Sequence, residues 1–202
     1  MHAVVVVAHP EPASFTHQVA AEIARGIAAA GTQHSVERAD LAAEGFDPRF
    51  GAPDLAAFRD RLPPPADVLA AQRRLDRADA LVLVYPVYWW SFPAQLKGWI
   101  DRVFTNGWAY DDTPDGRPLE KKLRRLAVHL AGIGAADAGT YERHGYATAM
   151  KTQIDHGIFD YVGARVATSD ILRTTGTGFP DAALAAAREI GRRVFCGRAQ
   201  AA

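Results

Sequence analysis

Cysteine is nearly absent from this 202-residue chain: Cys196 stands alone, which excludes an internal disulfide framework and suits a reducing compartment. An excess of one charge is missing too. Lys plus Arg and Asp plus Glu number 23 each, so no whole-protein field would draw in nucleic acid or an anionic membrane. Long hydrophobic runs are lacking. The apolar stretch after Met1-His2 is about six residues, too short for a bilayer span and without the basic flank of a signal peptide. The expectation is a cytoplasmic protein with no membrane insertion. There is no G-x-x-x-x-G-K-S/T phosphate loop, which argues against nucleotide hydrolysis. His2, His9, His17, His34, His129, His144 and His156 form no i, i+4 pair and accompany no cysteine cluster, so metal catalysis is not expected.

What is present reads as one domain over residues 1–202, long enough to bury a core without staples. Val4 to Val7 is a buried strand, and Phe15, Val19, Ile23 and Ile27 mark a helical stripe stopped by Gly31. Ser35 to Arg38 is a weak second strand. Asp40 to about Pro65 is an irregular, proline-rich excursion of the kind that covers something. A helix over Asp67 to Arg77 leads to a third strand at Leu81 to Val84, and Phe92, Leu96, Ile100, Val103 and Phe104 define a third helix. Gly107 to Leu119, with Pro114-Asp115-Gly116, is turn-rich. Leu126 to Leu130 is a fourth strand, about Gly145 to His156 a helix, Val166 to Leu172 a fifth strand, and Leu184, Ala187, Gly191, Val194 and Phe195 line a closing helix. Strands alternating with helices imply an α/β doubly wound parallel sheet, and the flavodoxin-like order 2-1-3-4-5 is among the commonest for five strands.

In such a sheet ligands bind at the switch point, here between strands one and three. The segment Pro86-Val87-Tyr88-Trp89-Trp90-Ser91 leaves strand three there. Two adjacent tryptophans cannot readily face one core, so at least one should line a surface or pocket. His9 to Thr16 leaves strand one and offers backbone N–H groups and hydroxyls at a helix N-terminus, a ready anion site. No Lys or Arg precedes Arg25, so a phosphate would rest on amides, Ser14, Thr16 and His9, although Ser14 could equally be a helix cap. Gly132-Ile133-Gly134 after strand four is a weak dinucleotide fingerprint. It suits a loop, whether a simple turn or one that brings backbone close to a flat ligand. A phosphate site without cations beside aromatic and glycine loops suits a phosphorylated planar cofactor, and flavin mononucleotide fits.

The run Ala78-Asp79-Ala80-Leu81-Val82-Leu83-Val84-Tyr85-Pro86-Val87-Tyr88-Trp89-Trp90-Ser91-Phe92-Pro93-Ala94-Gln95-Leu96-Lys97-Gly98-Trp99-Ile100-Asp101-Arg102-Val103-Phe104, followed by Gly107-Trp108-Ala109-Tyr110, resembles the flavodoxin-like NAD(P)H:quinone oxidoreductases. That family includes flavoprotein ancillary subunits of glutathione-gated potassium efflux systems. The likeness runs from the first strand to at least Asp112. It implies that His9, Phe15 and Thr16 contact the phosphate and ribityl end of the cofactor, with Thr16 where the family usually has Asn. It places Gln72 near the phosphates, lays Val87, Tyr88, Trp89 and Trp90 along the isoalloxazine, and gives Tyr110 to the substrate pocket of the facing subunit of a homodimer.

Where the family has Thr-Thr-Gly-Gly, this chain has Leu130-Ala131-Gly132-Ile133, so amide contacts from Gly132 to Gly134 replace hydroxyl ones. His144 lies at the spacing of a family histidine near the reduced flavin. The tyrosine preceding it falls on Ala138, with Tyr141 nearby, so His144 and Tyr141 are the catalytic candidates. An arginine that serves the adenine of FAD in some members is replaced by Asp181-Ala182-Ala183, which favours FMN and leaves FAD as the alternative. The resemblance implies hydride transfer from NAD(P)H through flavin to a quinone or similar flat acceptor. The alternatives are a regulatory subunit docking on a membrane transporter, a one-electron carrier of flavodoxin type, and a cofactor-free relative with an altered site.

Overall fold

The computed structural model describes residues 1–112 and 117–196. In chain order the strands are β1 (His2–Val7), β2 (Ser35–Asp40), β3 (Ala80–Pro86), β4 (Tyr110–Asp111), β5 (Glu120–Lys121), β6 (Ala127–Gly134) and β7 (Arg165–Arg173). The helices are α1 (Phe15–Ala30), α2 (Ala52–Asp60), α3 (Ala66–Arg77), α4 (Ala94–Val103), α5 (Ala138–Arg143), α6 (Tyr146–Met150) and α7 (Asp181–Arg193). A π-helical segment, Lys151–Asp160, continues α6. The main sheet is β2-β1-β3-β6-β7 with every pairing parallel, which is the expected 2-1-3-4-5 once its strands are counted alone.

The unbroken apolar runs of β1 and β3 follow from burial on both faces. Val4, Val6, Leu81 and Leu83 pack with Leu75, Leu96, Ile100 and Val103 on one side of the sheet. Ala3, Val5, Val7, Val82 and Val84 pack with Val19, Ile23, Ile27, Ala187 and Ile190 on the other. On that second side α1 and α7 meet backbone to backbone. A Cβ on Gly26 would sit 2.1 Å from Arg188 O, and one on Gly191 would sit 2.1 Å from Ile23 O. Glycine is required at both positions because the helices approach too closely for any side chain between them.

The structure corrects the sequence expectation at several elements. The excursion after β2 holds α2, whose start is signalled by Pro53 in the first turn and by Asp54, whose carboxylate accepts the Gly51 N–H at 2.8 Å. Its apolar stripe was illegible because Leu55 and Phe58 face solvent while Ala57 and Asp54 face in. The turn-rich stretch contains the short β4–β5 hairpin, and the Pro114-Asp115-Gly116 turn lies outside the described residues. Strand four extends to Gly134, and α5 fills the segment before the expected Gly145 to His156 helix. That helix is α6 together with the wider π-helical turns after it.

Arg102 joins the excursion to the core. Its guanidinium donates to Asp54 Oδ1 at 2.8 Å, to Asp67 Oδ2 at 2.6 Å and to Asp47 O at 2.8 Å, and it lies over the Phe46 ring.

Candidate active site

β1, β3 and β6 are neighbours, so the three loops that leave their C-terminal ends adjoin along one edge. The edge is tied together by Ala8 N–H donating to Val84 O and Val87 N–H donating to Ile133 O. The middle loop is a tight turn. Tyr88 and Ser91 exchange two backbone hydrogen bonds, and Trp89 and Trp90 between them take φ of 50° and 59°. Left-handed backbone at both central positions is the arrangement of a type I′ turn, for which Asn-Gly is the usual pair. Two tryptophans here are strained, and such strain collects at functional sites.

The turn sends its indoles in different directions. Trp89 is 94% exposed, while Trp90 stacks on Tyr146 at 3.7 Å between centroids and meets Tyr141 edge-on at 5.3 Å. The expectation that at least one tryptophan faces a surface is met. His144 extends the row by stacking on Tyr146 at 5.2 Å. Ser91 Oγ donates to Gln153 Oε1 at 2.6 Å, so the π-helical segment braces the turn. Tyr141 and His144 therefore do come together beside the turn, Tyr141 buried and His144 exposed at the end of α5. Burial raises the Tyr141 phenol above its ordinary pKa, against a smaller opposing pull from Arg173, so its hydroxyl keeps its proton and can donate.

At the first loop Ser14 is the N-cap of α1, with its hydroxyl accepting the His17 N–H. Helix geometry leaves the Phe15 and Thr16 N–H groups without an acceptor inside the helix. Thr16 is buried in that first turn, and Phe15 packs on Phe179 at 4.9 Å. His9 Nδ1 accepts the Glu11 N–H at 3.0 Å, which puts the proton of the neutral ring on Nε2. Pro86 is the buried last residue of β3, Val87 is half-buried at its exit, and Tyr88 is 49% exposed.

Two expectations about the site need correction. Gln72 is not at this edge. It is buried, and its amide donates to Val103 O and Thr105 Oγ1, both at 2.9 Å. Because α4 is 10 residues long, its last turn lies about 15 Å from the edge where β3 ends. Gln72 is a structural carboxamide satisfying the end of α4. Gly132, Ile133 and Gly134 do not form a loop either. They are paired in β6 between β3 and β7, and the chain leaves the sheet only at Ala135. A Cβ on Gly132 would meet Ile171 Cδ1 at 2.9 Å and Val87 Cγ2 at 3.0 Å, and one on Gly134 would meet the Tyr141 hydroxyl at 3.0 Å. These glycines make room for protein side chains. Tyr110, which the resemblance gives to the facing subunit, stands apart from this chain's loops: its ring meets Tyr161 at 5.3 Å, and it lines a cavity of about 400 Å³ with Phe50, Leu55, Phe58 and Phe104.

Tyr146, Gln153, His17 and Asp40 belong to the edge without having been singled out from sequence. Tyr146 alone left a signal, as a large aromatic two positions after His144. Among the described residues no group of three or more His, Cys, Asp or Glu could hold a metal ion, and no helix is long and apolar enough to cross a membrane.

A family described as having the flavodoxin-like fold matches residues 1–194. The chain belongs to this flavodoxin-like family. Over 200 residues it is 28% identical to NAD(P)H dehydrogenase (quinone) 1 of Rattus norvegicus, a match covering 89% of this chain and 71% of that protein. A shorter stretch of 66 residues is 44% identical to the glutathione-regulated potassium-efflux system ancillary protein KefF of Enterobacter sp. (strain 638), covering 33% of this chain and 36% of that one. Among solved structures, the NAD(P)H:quinone oxidoreductase from Methanothermobacter marburgensis superposes with a TM-score of 0.84 at 28% identity, covering 95% of this chain and 98% of that chain. The likeness thus continues well past Asp112.

Proposed function

We propose that this flavodoxin-like protein is a flavin-dependent oxidoreductase that passes a hydride from NAD(P)H to a quinone or similar flat acceptor. The observation that carries this reading is the strained Tyr88–Ser91 turn, which presents two indoles at the switch point of the sheet. An exposed, rigid aromatic platform is costly to maintain and suits stacking on a planar ring. The similarity to quinone-reducing relatives supports the same reading.

The residues present fit a phosphorylated flavin. The Phe15 and Thr16 amides, the Ser14 hydroxyl and His9 would hold the phosphate, and Val87, Tyr88, Trp89 and Trp90 would hold the ring. The chemistry supplied by a bound flavin is hydride acceptance from NAD(P)H and hydride donation to the acceptor. The chain's own contribution is orientation, exclusion of water by the Trp90–Tyr141–Tyr146 stack, and a protonated Tyr141 hydroxyl able to donate to developing negative charge. His144 stands next along the row as a second proton carrier. Asp181 at the start of α7 offers no cation for a second phosphate-linked ring, which favours FMN over FAD.

Phe50, Leu55, Phe58 and Leu62 are 45–54% exposed around α2, and Tyr110 lies beside them. That apolar surface supports a homodimer in which Tyr110 reaches the partner's substrate pocket. Cys196 is exposed and free, as suits the cytoplasm. A regulatory subunit that docks on a membrane transporter is the second reading, favoured by the match to the ancillary protein; co-purification with a transporter would support it.

The test is the visible spectrum of the purified protein, with heat release and mass of the cofactor, followed by anaerobic addition of NADH or NADPH. Bleaching of the flavin band that a quinone reverses is expected. A colourless protein that takes up neither FMN nor FAD would overturn the proposal.

A further inference from the structure

We propose that Asp40, His17 and Ser14 form a proton-linked relay that makes phosphate binding at the start of α1 depend on the charge of His17. This rests on the flavin reading above and adds a regulatory property to the same site. His17 Nε2 lies 2.8 Å from Asp40 Oδ2, and His17 Nδ1 lies 2.8 Å from Ser14 Oγ. The His17 and Asp40 side chains are 10% and 14% exposed, so neither contact is a loose surface pairing. No sequence pattern joins the two: Asp40 comes from the end of β2 and His17 from the first turn of α1, and only the parallel pairing of β1 with β2 brings them together.

The donor and acceptor roles follow from elementary bookkeeping. Burial disfavours the charge on Asp40, but hydrogen bonds from the Ala43 N–H, the His17 ring and the Ala42 N–H outweigh it and hold the carboxyl below its usual range. Asp40 is therefore an acceptor, and His17 Nε2 must carry a proton in either charge state. When the ring is neutral, Nδ1 is bare and takes the Ser14 O–H, so Ser14, which already accepts the His17 N–H, has no hydrogen left to offer an anion. When the ring is charged, Nδ1–H donates to Ser14 Oγ, and the hydroxyl hydrogen is free to turn to an anion. Protonation of one histidine thus converts Ser14 from a group that cannot donate to phosphate into one that can. It also places a positive charge at a helix start that has no Lys or Arg before Arg25.

Among the groups around His17, His9 is a second imidazole, which a His17 variant leaves in place. His9 packs edge-on at 6.3 Å from the β1–α1 loop, and Glu11 in that loop accepts the Ala13 N–H. On this side of the sheet β1 and β3 present Val7 and Val84, and α7 presents Arg188, which is held by Glu22.

The experiment is titration of the flavin-free protein with FMN, followed by flavin fluorescence, with riboflavin as the phosphate-free control. Imidazole loses its charge across this range, so FMN affinity is expected to fall at least about tenfold from about pH 6 to about pH 8.5. Riboflavin affinity should stay level. The second ionisation of a phosphate monoester, near about 6, adds ligand charge as pH rises and would act in the opposite direction. His17→Gln, which bonds but does not titrate, should remove most of the fall, and Ser14→Ala should shrink it at a weaker affinity, leaving the part that comes from the His17 charge itself. FMN binding that is level with pH, or riboflavin falling in step with FMN, would overturn the relay while leaving the flavin reading intact. No flavin binding at any pH would overturn both.

Discussion

Trp89 and Trp90 show how one residue can trade stability for display. A non-glycine residue in the left-handed region costs roughly 1–2 kcal/mol, and Trp89 recovers little of that by burial at 94% exposure. Trp89→Asn, which tolerates the same backbone, should therefore stabilise the fold by about 1 kcal/mol and raise Tm by roughly 2–4 °C. The same variant should lose flavin on gel filtration, and full retention would remove Trp89 from the stacking platform. Tyr141 makes the converse case, since its hydroxyl contributes little to packing. Tyr141→Phe should keep flavin and Tm while slowing flavin reduction or reoxidation about 100-fold in stopped-flow absorbance. At this scale the sequence disclosed residue type and neighbourhood but not direction. Gln72 sits in a helix whose polar and apolar faces are easily told apart, yet only the end of α4 explains why a glutamine occupies its buried side.

Elements are joined here by a few contacts that no local pattern announces. Arg102 of α4 holds α2 through Asp54, both being 5–6% exposed. Arg102→Met would strand the Asp54 carboxylate and should cost about 3–5 kcal/mol in urea unfolding, most of it recovered by adding Asp54→Leu. The α1–α7 contact is equally unforgiving. Gly191→Ala would drive a methyl group into Ile23 O, and the helices must part, at a cost of about 1–3 kcal/mol by thermal melting. The long elements were legible because each carries its own periodicity: β1 and β3 as unbroken apolar runs, α4 as a stripe. α2 was not, since the apolar side chains that would mark its buried face point outwards.

For the whole molecule the balanced charge leaves acid stability to particular pairs. Asp67, through its bond from Arg102, is held below its ordinary value despite some burial. For Glu22, burial opposes the charge, but bonds from Arg188 and Arg25 prevail and lower it as well. Carboxyls whose folded pKa is depressed contribute stability above their unfolded value that is lost as they protonate. Tm should accordingly be level above about pH 5 and fall as pH drops below about 4, and Arg188→Met should flatten that fall. The proposed homodimer is a property of this scale too. Phe58→Glu should yield a monomer in analytical ultracentrifugation, with its flavin kept and its quinone turnover reduced.

The sequence by itself determined the alternation of strands and helices, the parallel five-stranded order, the switch-point loops at His9 to Thr16 and Pro86 to Ser91, and the resemblance from which flavin chemistry follows. Those features are written in short windows, where burial on two faces or one imposes a period on the residues. Tertiary structure alone decided that β6 runs on to Gly134, because pairing with Tyr85, Pro86 and Leu172 on its two sides extends a strand past its apolar run. It alone put Trp90 on Tyr146, left Trp89 in solvent, and brought Asp40 to His17 and Ser14. Each of these depends on partners far apart in the chain, and a single window of sequence holds no information about which distant window it will face.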